Sequence, residues 1–211
     1  MKNSYKVFFL YKSGSLSIKK NINIIVKVII LMDQIMVNNS VIEIFVGDLS
    51  NTEYDAVVIP TNSRLLPSGD LRCKILRKAG TQVQVECNRI INKISQVAVG
   101  DSVMTSGGNY THYLIHANGP RLGQVKEGKN LMQATWNSLK LADEKGLNSV
   151  VFPPISQEMR GFTTNFCAKA MLIAIIKYLN EKNKNLKNVS ICVEIQPDLE
   201  IFENTLNELI S

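Results

Sequence analysis

The stretch Asp55-Ala-Val-Val-Ile-Pro-Thr-Asn-Ser-Arg-Leu-Leu-Pro-Ser-Gly-Asp70 decides the fold of this chain. Its apolar run, residues 56–60, ends at the polar amide of Asn62, and a turn containing Gly69 follows. An uninterrupted apolar run of this length is typical of a parallel strand buried on both faces of its sheet. Ligands of open α/β sheets bind just beyond the carboxyl ends of such strands. The stretch therefore predicts a buried strand that presents Asn62 at a ligand-binding rim.

Strand-like and helix-like segments alternate outward from this stretch, from about Ser40 to the end of the chain. Apolar runs predict strands at 41–46, 55–60, 101–105, 113–117, 149–153 and 189–193. Periodic apolar positions predict helices at 71–79, 82–94, 130–145 and about 167–178, and a last helix after Pro197 with Asp198 as its N-cap. Because buried strands that alternate with amphipathic helices form a sheet covered on both faces, we predict one domain over residues 40–211. Its predicted architecture is a three-layer α/β/α sandwich with a mixed, mostly parallel central sheet.

The composition is that of an ordinary globular protein, with 45% hydrophobic and 20% charged residues among 211. The formal net charge of +6 favours polyanionic partners in general, such as nucleotides or nucleic acid, without selecting one. No C-x-x-C pair occurs among the four cysteines, which are Cys73, Cys87, Cys167 and Cys192. We therefore expect reduced structural thiols, no metal site and no bound cofactor. We expect a protein of the cytoplasm, or of the nucleus if the source is eukaryotic.

Residues 1–39 are predicted to be an extension of the domain. Their apolar run, residues 22–32, is interrupted by Lys27 and is shorter than the roughly 20 apolar residues that a spanning helix needs. No small-residue cleavage site follows the run, so a signal peptide is not indicated. We therefore expect no membrane association. Two alternatives stay open for the extension: an extra strand of the sheet, or sequence upstream of a true start at Met32 or Met36.

Five motifs lie at the ends of predicted strands or in the loops after them. They are Gly47-Asp-Leu-Ser50, Ile59-Pro-Thr-Asn62, Tyr113-Leu-Ile-His-Ala-Asn-Gly-Pro120, Val151-Phe-Pro-Pro-Ile-Ser156 and Gly161-Phe162. In this order they resemble the motifs of macro domains, a family of ADP-ribose-binding modules. Each motif alone is weakly specific, but all five stand at near-family spacing, and the resemblance runs from about Ser40 to Leu209. It implies a macro-like fold and a site for ADP-ribose or a related nucleotide.

The resemblance also implies roles for individual residues. Asp48 would accept a hydrogen bond from the adenine amino group, Asn62 would contact the distal ribose, and Ile195 or Phe162 would cover a face of the base. The full set of expected ligand-binding residues is Asp48, Leu49, Thr61, Asn62, Gly69, Arg72, Ser156, Gln157, Gly161, Phe162 and Ile195. Structural alternatives stay open for three of them: an Asx turn at Asp48, a cap on local backbone at Asn62, and loop packing at Phe162.

Departures from the family pattern argue against efficient catalysis. Where active members carry a glycine-rich run, the chain has Ser68-Gly-Asp-Leu-Arg-Cys73, which keeps only Gly69 and puts Arg72 at the place of the acidic residue that activates water. Loss of such a base lowers the rate roughly 10²–10⁴-fold. Asp70 and Glu158 add negative charge near the expected diphosphate. Arg72 is expected to offset part of that charge by pairing with a phosphate.

These observations predict a monomeric module that binds ADP-ribose or ADP-ribosylated protein without efficient catalysis. One alternative is an ADP-ribosyl hydrolase or O-acetyl-ADP-ribose deacetylase of the same family that uses Asn62 and a substrate-bound water. Another is a domain that has lost nucleotide binding and contacts protein or RNA, although the lysine-rich connection at 181–187 lacks interleaved aromatic residues. We expect His116, inside an apolar strand, to be a buried structural histidine, and Trp136 to pack in the core.

Overall fold

A computed structural model describes residues 28–31, 34–157 and 161–211 of the chain. Residues 1–27 of the predicted extension, the alternative start Met32, and Glu158 lie outside the described residues. Strand β1 (Val28–Leu31) pairs antiparallel with β2 (Gln34–Val37), which pairs antiparallel with β3 (Ser40–Val46). The sheet therefore extends upstream of residue 40, and part of the apolar run at 22–32 forms strand β1.

Eight strands form one sheet in the described part of the chain, in the order β1-β2-β3-β8-β7-β4-β6-β5. The strands that follow β3 are β4 (Ala56–Pro60), β5 (Ser102–Ser106), β6 (Tyr113–Ala117), β7 (Ser149–Phe152) and β8 (Asn188–Val193). Strands β3, β8, β7, β4 and β6 run parallel to one another, whereas β1, β2 and β5 pair antiparallel towards the two edges. This mixed, mostly parallel sheet confirms the predicted fold class.

Helices cover both faces of the sheet. They are α1 (Asp70–Ala79), α2 (Thr81–Ile94), α3 (Glu127–Glu144), α4 (Thr164–Glu181) and α5 (Gln196–Ile210), with a short 3₁₀ turn at Leu49–Asn51. Helices α1 and α2 enclose one hydrophobic core, and α3, α4 and α5 enclose the other. None of the described helices is long and apolar enough to span a membrane.

Strand β4 contributes to both cores. Ala56 and Val58 belong to the core under α3, α4 and α5, whereas Val57 and Ile59 belong to the core under α1 and α2. All four side chains are fully buried. The two-faced burial that the apolar run predicts is therefore present. Because the central strands are parallel, the loops that follow them all emerge at one rim of the sheet.

The last helix begins earlier than the sequence predicts. It starts at Gln196 with Ile195 as the N-cap, and Pro197 lies in its first turn. Proline fits there because the first N–H groups of a helix have no intrahelical partner. Asp198 is therefore not the cap. Its carboxylate instead accepts hydrogen bonds from the side chains of Gln157 and Thr164.

Candidate functional site

A cavity of about 380 Å³ opens at the rim where the parallel strands end. The loops after β3, β4, β6, β7 and β8 line it, together with the first turn of α1. Small-ligand sites have volumes of about 300–1,000 Å³. Eight of the predicted ligand-binding residues border this cavity: Leu49, Thr61, Asn62, Gly69, Arg72, Ser156, Gln157 and Ile195. The fold thus brings residues from distant parts of the sequence around one space.

The side chain of Asn62 is committed to its own loop. Its Nδ2 donates to the carbonyl oxygen of Leu66 at 2.9 Å and to Oγ of Ser68 at 3.0 Å. Its Oδ1 accepts from the backbone N–H groups of Arg64 and Leu66, both at 3.1 Å. An amide has two donor hydrogens and two acceptor lone pairs, so all four are used within the loop. The structure shows Asn62 in the capping role, the alternative that the sequence left open, and this use of the amide favours that role over a ribose contact or a catalytic one.

Arg72 is buried, with only 2% of its surface exposed, although it borders the cavity. Its Nε donates to the carbonyl oxygen of Leu66 at 3.1 Å, and one terminal nitrogen donates to that of Leu65 at 2.8 Å. Its other terminal nitrogen lies 2.9 Å from Nδ1 of His116. The guanidinium therefore braces the loop after β4 against the sheet. This arrangement favours a structural role for Arg72 over the expected pairing with a ligand phosphate.

His116 is fully buried in β6 and has the structural role that the sequence predicts. Because a guanidinium can only donate, Nδ1 of His116 carries the lone pair and Nε2 carries the proton. Nε2 lies 2.9 Å from Oγ1 of Thr105 and 3.7 Å from Sγ of Cys87. Burial, together with the positive charge of Arg72, lowers the pKa of His116 well below its usual value. The ring is therefore neutral at neutral pH.

Asp48 forms an Asx-type cap, the alternative that the sequence left open. Its Oδ1 accepts from the backbone N–H and the hydroxyl of Ser50 at 3.0 and 2.7 Å. Its Oδ2 accepts from Nδ2 of Asn51 at 3.2 Å and from Nζ of Lys74 at 2.6 Å. The hydrogen bond from Lys74, followed by that from the Ser50 hydroxyl, lowers the pKa of Asp48 to about 2. The carboxylate lies beside the cavity and is not part of its wall.

The loop after β7 is anchored to the first turns of α4 and α5. Nε2 of Gln157 donates to Oγ1 of Thr164 at 2.7 Å and to Oδ2 of Asp198 at 3.0 Å. Thr164 in turn donates to Oδ1 of Asp198 at 2.7 Å. Ser156, just before the anchor, has a left-handed backbone with a φ of 71°. Since that conformation costs about 1–2 kcal/mol for a residue other than glycine, the loop needs such an anchor.

Two predicted contacts of the second loop lie outside the cavity wall, namely Gly161 and Phe162. Phe162 is 7% exposed and stacks on Phe166, with ring centroids 4.6 Å apart and planes 11° apart. Phe162 therefore has the loop-packing role that the sequence left open as an alternative to contact with a base. Ile195 is 53% exposed and lines the cavity, so it presents apolar surface at the wall. Asp70 is exposed and lies outside the wall.

Sequence reasoning missed three charged residues of the cavity wall, which are Arg121, Glu194 and Asp198. All three follow a predicted strand by only a few residues. Side chains at such positions reach the rim of an open α/β sheet, so their place along the chain was a usable signal. In the described residues, no group of three His, Cys, Asp or Glu side chains that could hold a metal ion occurs. Arg121, Glu194 and Asp198 give the wall charges of both signs.

Known proteins share this architecture. The family model "Macro domain" matches residues 58–171. A macro domain-containing protein of Listeria monocytogenes is 32% identical over 170 residues, which cover 79% of this chain and 97% of the relative. An O-acetyl-ADP-ribose deacetylase of Pantoea vagans is 32% identical over 169 residues, which cover 79% of this chain and 98% of the relative. A macrodomain of Oceanobacillus iheyensis, solved as a mutant with ADPR, superposes with a TM-score of 0.80 at 27% identity, over 84% of this chain and 97% of that one. The same macrodomain solved with ADP also gives a TM-score of 0.80.

Replacing Arg72 by Met is expected to lower the free energy of unfolding by about 1–3 kcal/mol, because Nδ1 of His116 then lies buried without a donor. Urea unfolding of the full chain measures the loss. Arg89→Met is the control, because it removes the same kind of side chain from an exposed position on α2. The control is expected to change stability by less than about 0.5 kcal/mol. Equal stability of the two variants would contradict the bracing role of Arg72.

Replacing Lys74 by Met is expected to raise the pKa of Asp48 from about 2 towards its ordinary value of 3.8. Because the folded state has the lower pKa, the stabilisation from this carboxylate is complete above pH 3.8 and is lost as the pH falls through about 2. A carboxyl NMR titration measures the pKa. Lys140→Met, which breaks another exposed ion pair, is the control. An unchanged pKa of Asp48 would show that the hydrogen bonds from Ser50 alone set it.

Proposed function

Since this chain belongs to the macro domain family, we propose that it binds ADP-ribose, free or attached to protein, in the cavity at the rim of the sheet. The observation that carries the proposal is the cavity itself, which lies where the loops of the family motifs meet. The similar macrodomain of Oceanobacillus iheyensis has been solved with ADPR and with ADP. A nucleotide with a diphosphate is therefore the ligand class that fits best.

The first turn of α1 supports a phosphate contact. Gly69 is the N-cap, with a φ of 70°, and no side chain caps the helix. Gly69, Leu71 and Arg72 border the cavity, so the uncapped start of the helix lies at the wall. The first N–H groups of a helix lack intrahelical acceptors, and the helix dipole adds partial positive charge there. An anion is stabilised at such a position.

The candidate catalytic groups are hydrogen-bonded within the protein or buried, which supports binding without efficient hydrolysis. All hydrogen-bonding groups of the Asn62 amide are engaged within its loop. His116 is buried behind Arg72, and Arg72 stands at the position where the family's acidic residue is expected. No group in this set offers a free base to the cavity. The deacetylase relative of Pantoea vagans is the observation that keeps hydrolysis as the second candidate.

Calorimetric titration of the full chain with ADP-ribose is expected to give saturable binding. Ile195→Glu is expected to weaken it by about tenfold or more, because apolar surface is lost and a further carboxylate joins Glu194 and Asp198. Val85→Glu is the matched control, since Val85 is a 47% exposed apolar residue on α2 away from the cavity wall. The control is expected to bind as the parent does. No heat at millimolar ADP-ribose would overturn the proposal in favour of protein or RNA interaction.

Release of ADP-ribose from a modified protein, and deacetylation of O-acetyl-ADP-ribose, are expected to stay at the level of the enzyme-free blank. Arg72→Asp is expected not to restore turnover, because the side chain at this position faces His116 and the carbonyls of Leu65 and Leu66. An active hydrolase of the family serves as the positive control. Turnover by the unaltered chain that disappears in Asn62→Ala while binding is kept would favour the hydrolase instead.

A further inference from the structure

We propose that Arg121 binds the phosphate that lies farther from the base, and thereby selects nucleoside diphosphates over monophosphates. This inference rests on the proposed function of the cavity and assigns a residue to its specificity. The sequence predicts Arg72 for a phosphate contact. The structure commits Arg72 to internal hydrogen bonds and places a second arginine, Arg121, at the cavity wall.

Arg121 is the uncommitted cation among the described wall residues. Arg121 is exposed, and its described hydrogen bonds involve only its backbone. On the same wall, the carboxylate of Asp198 accepts hydrogen bonds from Gln157 and Thr164. The described ion pairs of the chain do not include Arg121. A guanidinium beside an open cavity is therefore available to a ligand.

The backbone around Arg121 is held from both sides. Before it, Gly119 packs so closely on the loop after β7 that an added Cβ would lie 2.2 Å from Oγ of Ser156. After it, the N–H of Arg121 donates to Oε1 of Gln124 at 2.8 Å, and the N–H of Gln124 donates to the carbonyl of Arg121 at 3.1 Å. The side chain therefore projects from a fixed point, which lowers the entropy lost when it binds an anion.

The strand order decides which part of a ligand Arg121 can reach. Ile195 follows β8 and Arg121 follows β6, and β7 and β4 lie between these strands. Three strand spacings of about 4.8 Å separate the two loops by roughly 14 Å. A nucleotide whose base lies on Ile195 therefore extends its ribose and its phosphates towards Arg121. The second phosphate is the anionic group in that direction.

A guanidinium suits this task because its planar fork can donate two parallel hydrogen bonds to a phosphate. A hydrogen bond to a charged group contributes enough that its loss weakens binding by about tenfold or more. A lysine keeps the charge and loses the fork, so it is expected to restore only part of the affinity. Glu194 lies on the same wall, and its negative charge repels an anionic ligand. The positive charge of Arg121 is therefore more important for binding.

The test is calorimetric titration of the full chain with ADP-ribose, ADP and AMP. Arg121→Met is expected to weaken ADP-ribose and ADP by about tenfold or more, and AMP by less than about twofold. Arg121→Lys is expected to lose about threefold with the two diphosphates. Arg89→Met, which removes an exposed positive charge from α2, is the matched control and is expected to leave all three affinities unchanged. Melting temperatures equal to that of the parent are expected for these exposed sites.

The outcomes separate this inference from the proposed function. If the unaltered chain binds ADP-ribose and Arg121→Met binds ADP as tightly as Arg89→Met does, the role of Arg121 is wrong and the proposed function stands. Equal weakening of ADP and AMP would also overturn it, because the effect would then not concern the second phosphate. If the unaltered chain binds none of the three nucleotides, both proposals fail together.

Discussion

A guanidinium buried in a protein interior must be hydrogen-bonded, because an unpaired buried charge is strongly unfavourable. Arg72 meets this constraint with two carbonyls of the loop after β4 and one nitrogen of His116. Through these contacts α1, the loop and β6 are held in one arrangement. The position of that loop in turn sets where Gly69 and the first turn of α1 lie. The shape of the cavity therefore depends on an interaction that takes place behind its wall.

The interactions that shape the cavity also engage side chains that would otherwise be available to a ligand. Asn62 and Arg72 stand where a macro domain with hydrolase activity is expected to keep reactive or acidic side chains, yet both hold the loop together here. Gln157 acts similarly on the opposite side, where it ties its loop to Asp198. A binding site with fixed walls and few free side chains suits recognition of a ligand.

Most of the fold could be predicted from the sequence, because the strands are apolar runs and the helices have periodic apolar positions. Strand β4 is the clearest case, since its burial on both faces follows from its composition alone. The orientation of side chains at the rim was harder to predict from the sequence. Arg72 turns inward because His116, 44 positions later, offers an acceptor. Phe162 turns inward from its loop to stack on Phe166 of α4. Arg121 belongs to none of the family motifs, so only its position after a strand could have marked it.

The pairing of β3 with β8 has a consequence for how the chain acquires its shape. Glu43 and Ser190 are register partners although 147 positions separate them. Non-local contacts of this kind slow folding, because the intervening chain must be ordered before they form. During synthesis, the side of the rim that carries Ile195 cannot assemble until β8, at residues 188–193, has left the ribosome. Before that moment β3 presents an unpaired edge, which makes the nascent chain a natural client for chaperones.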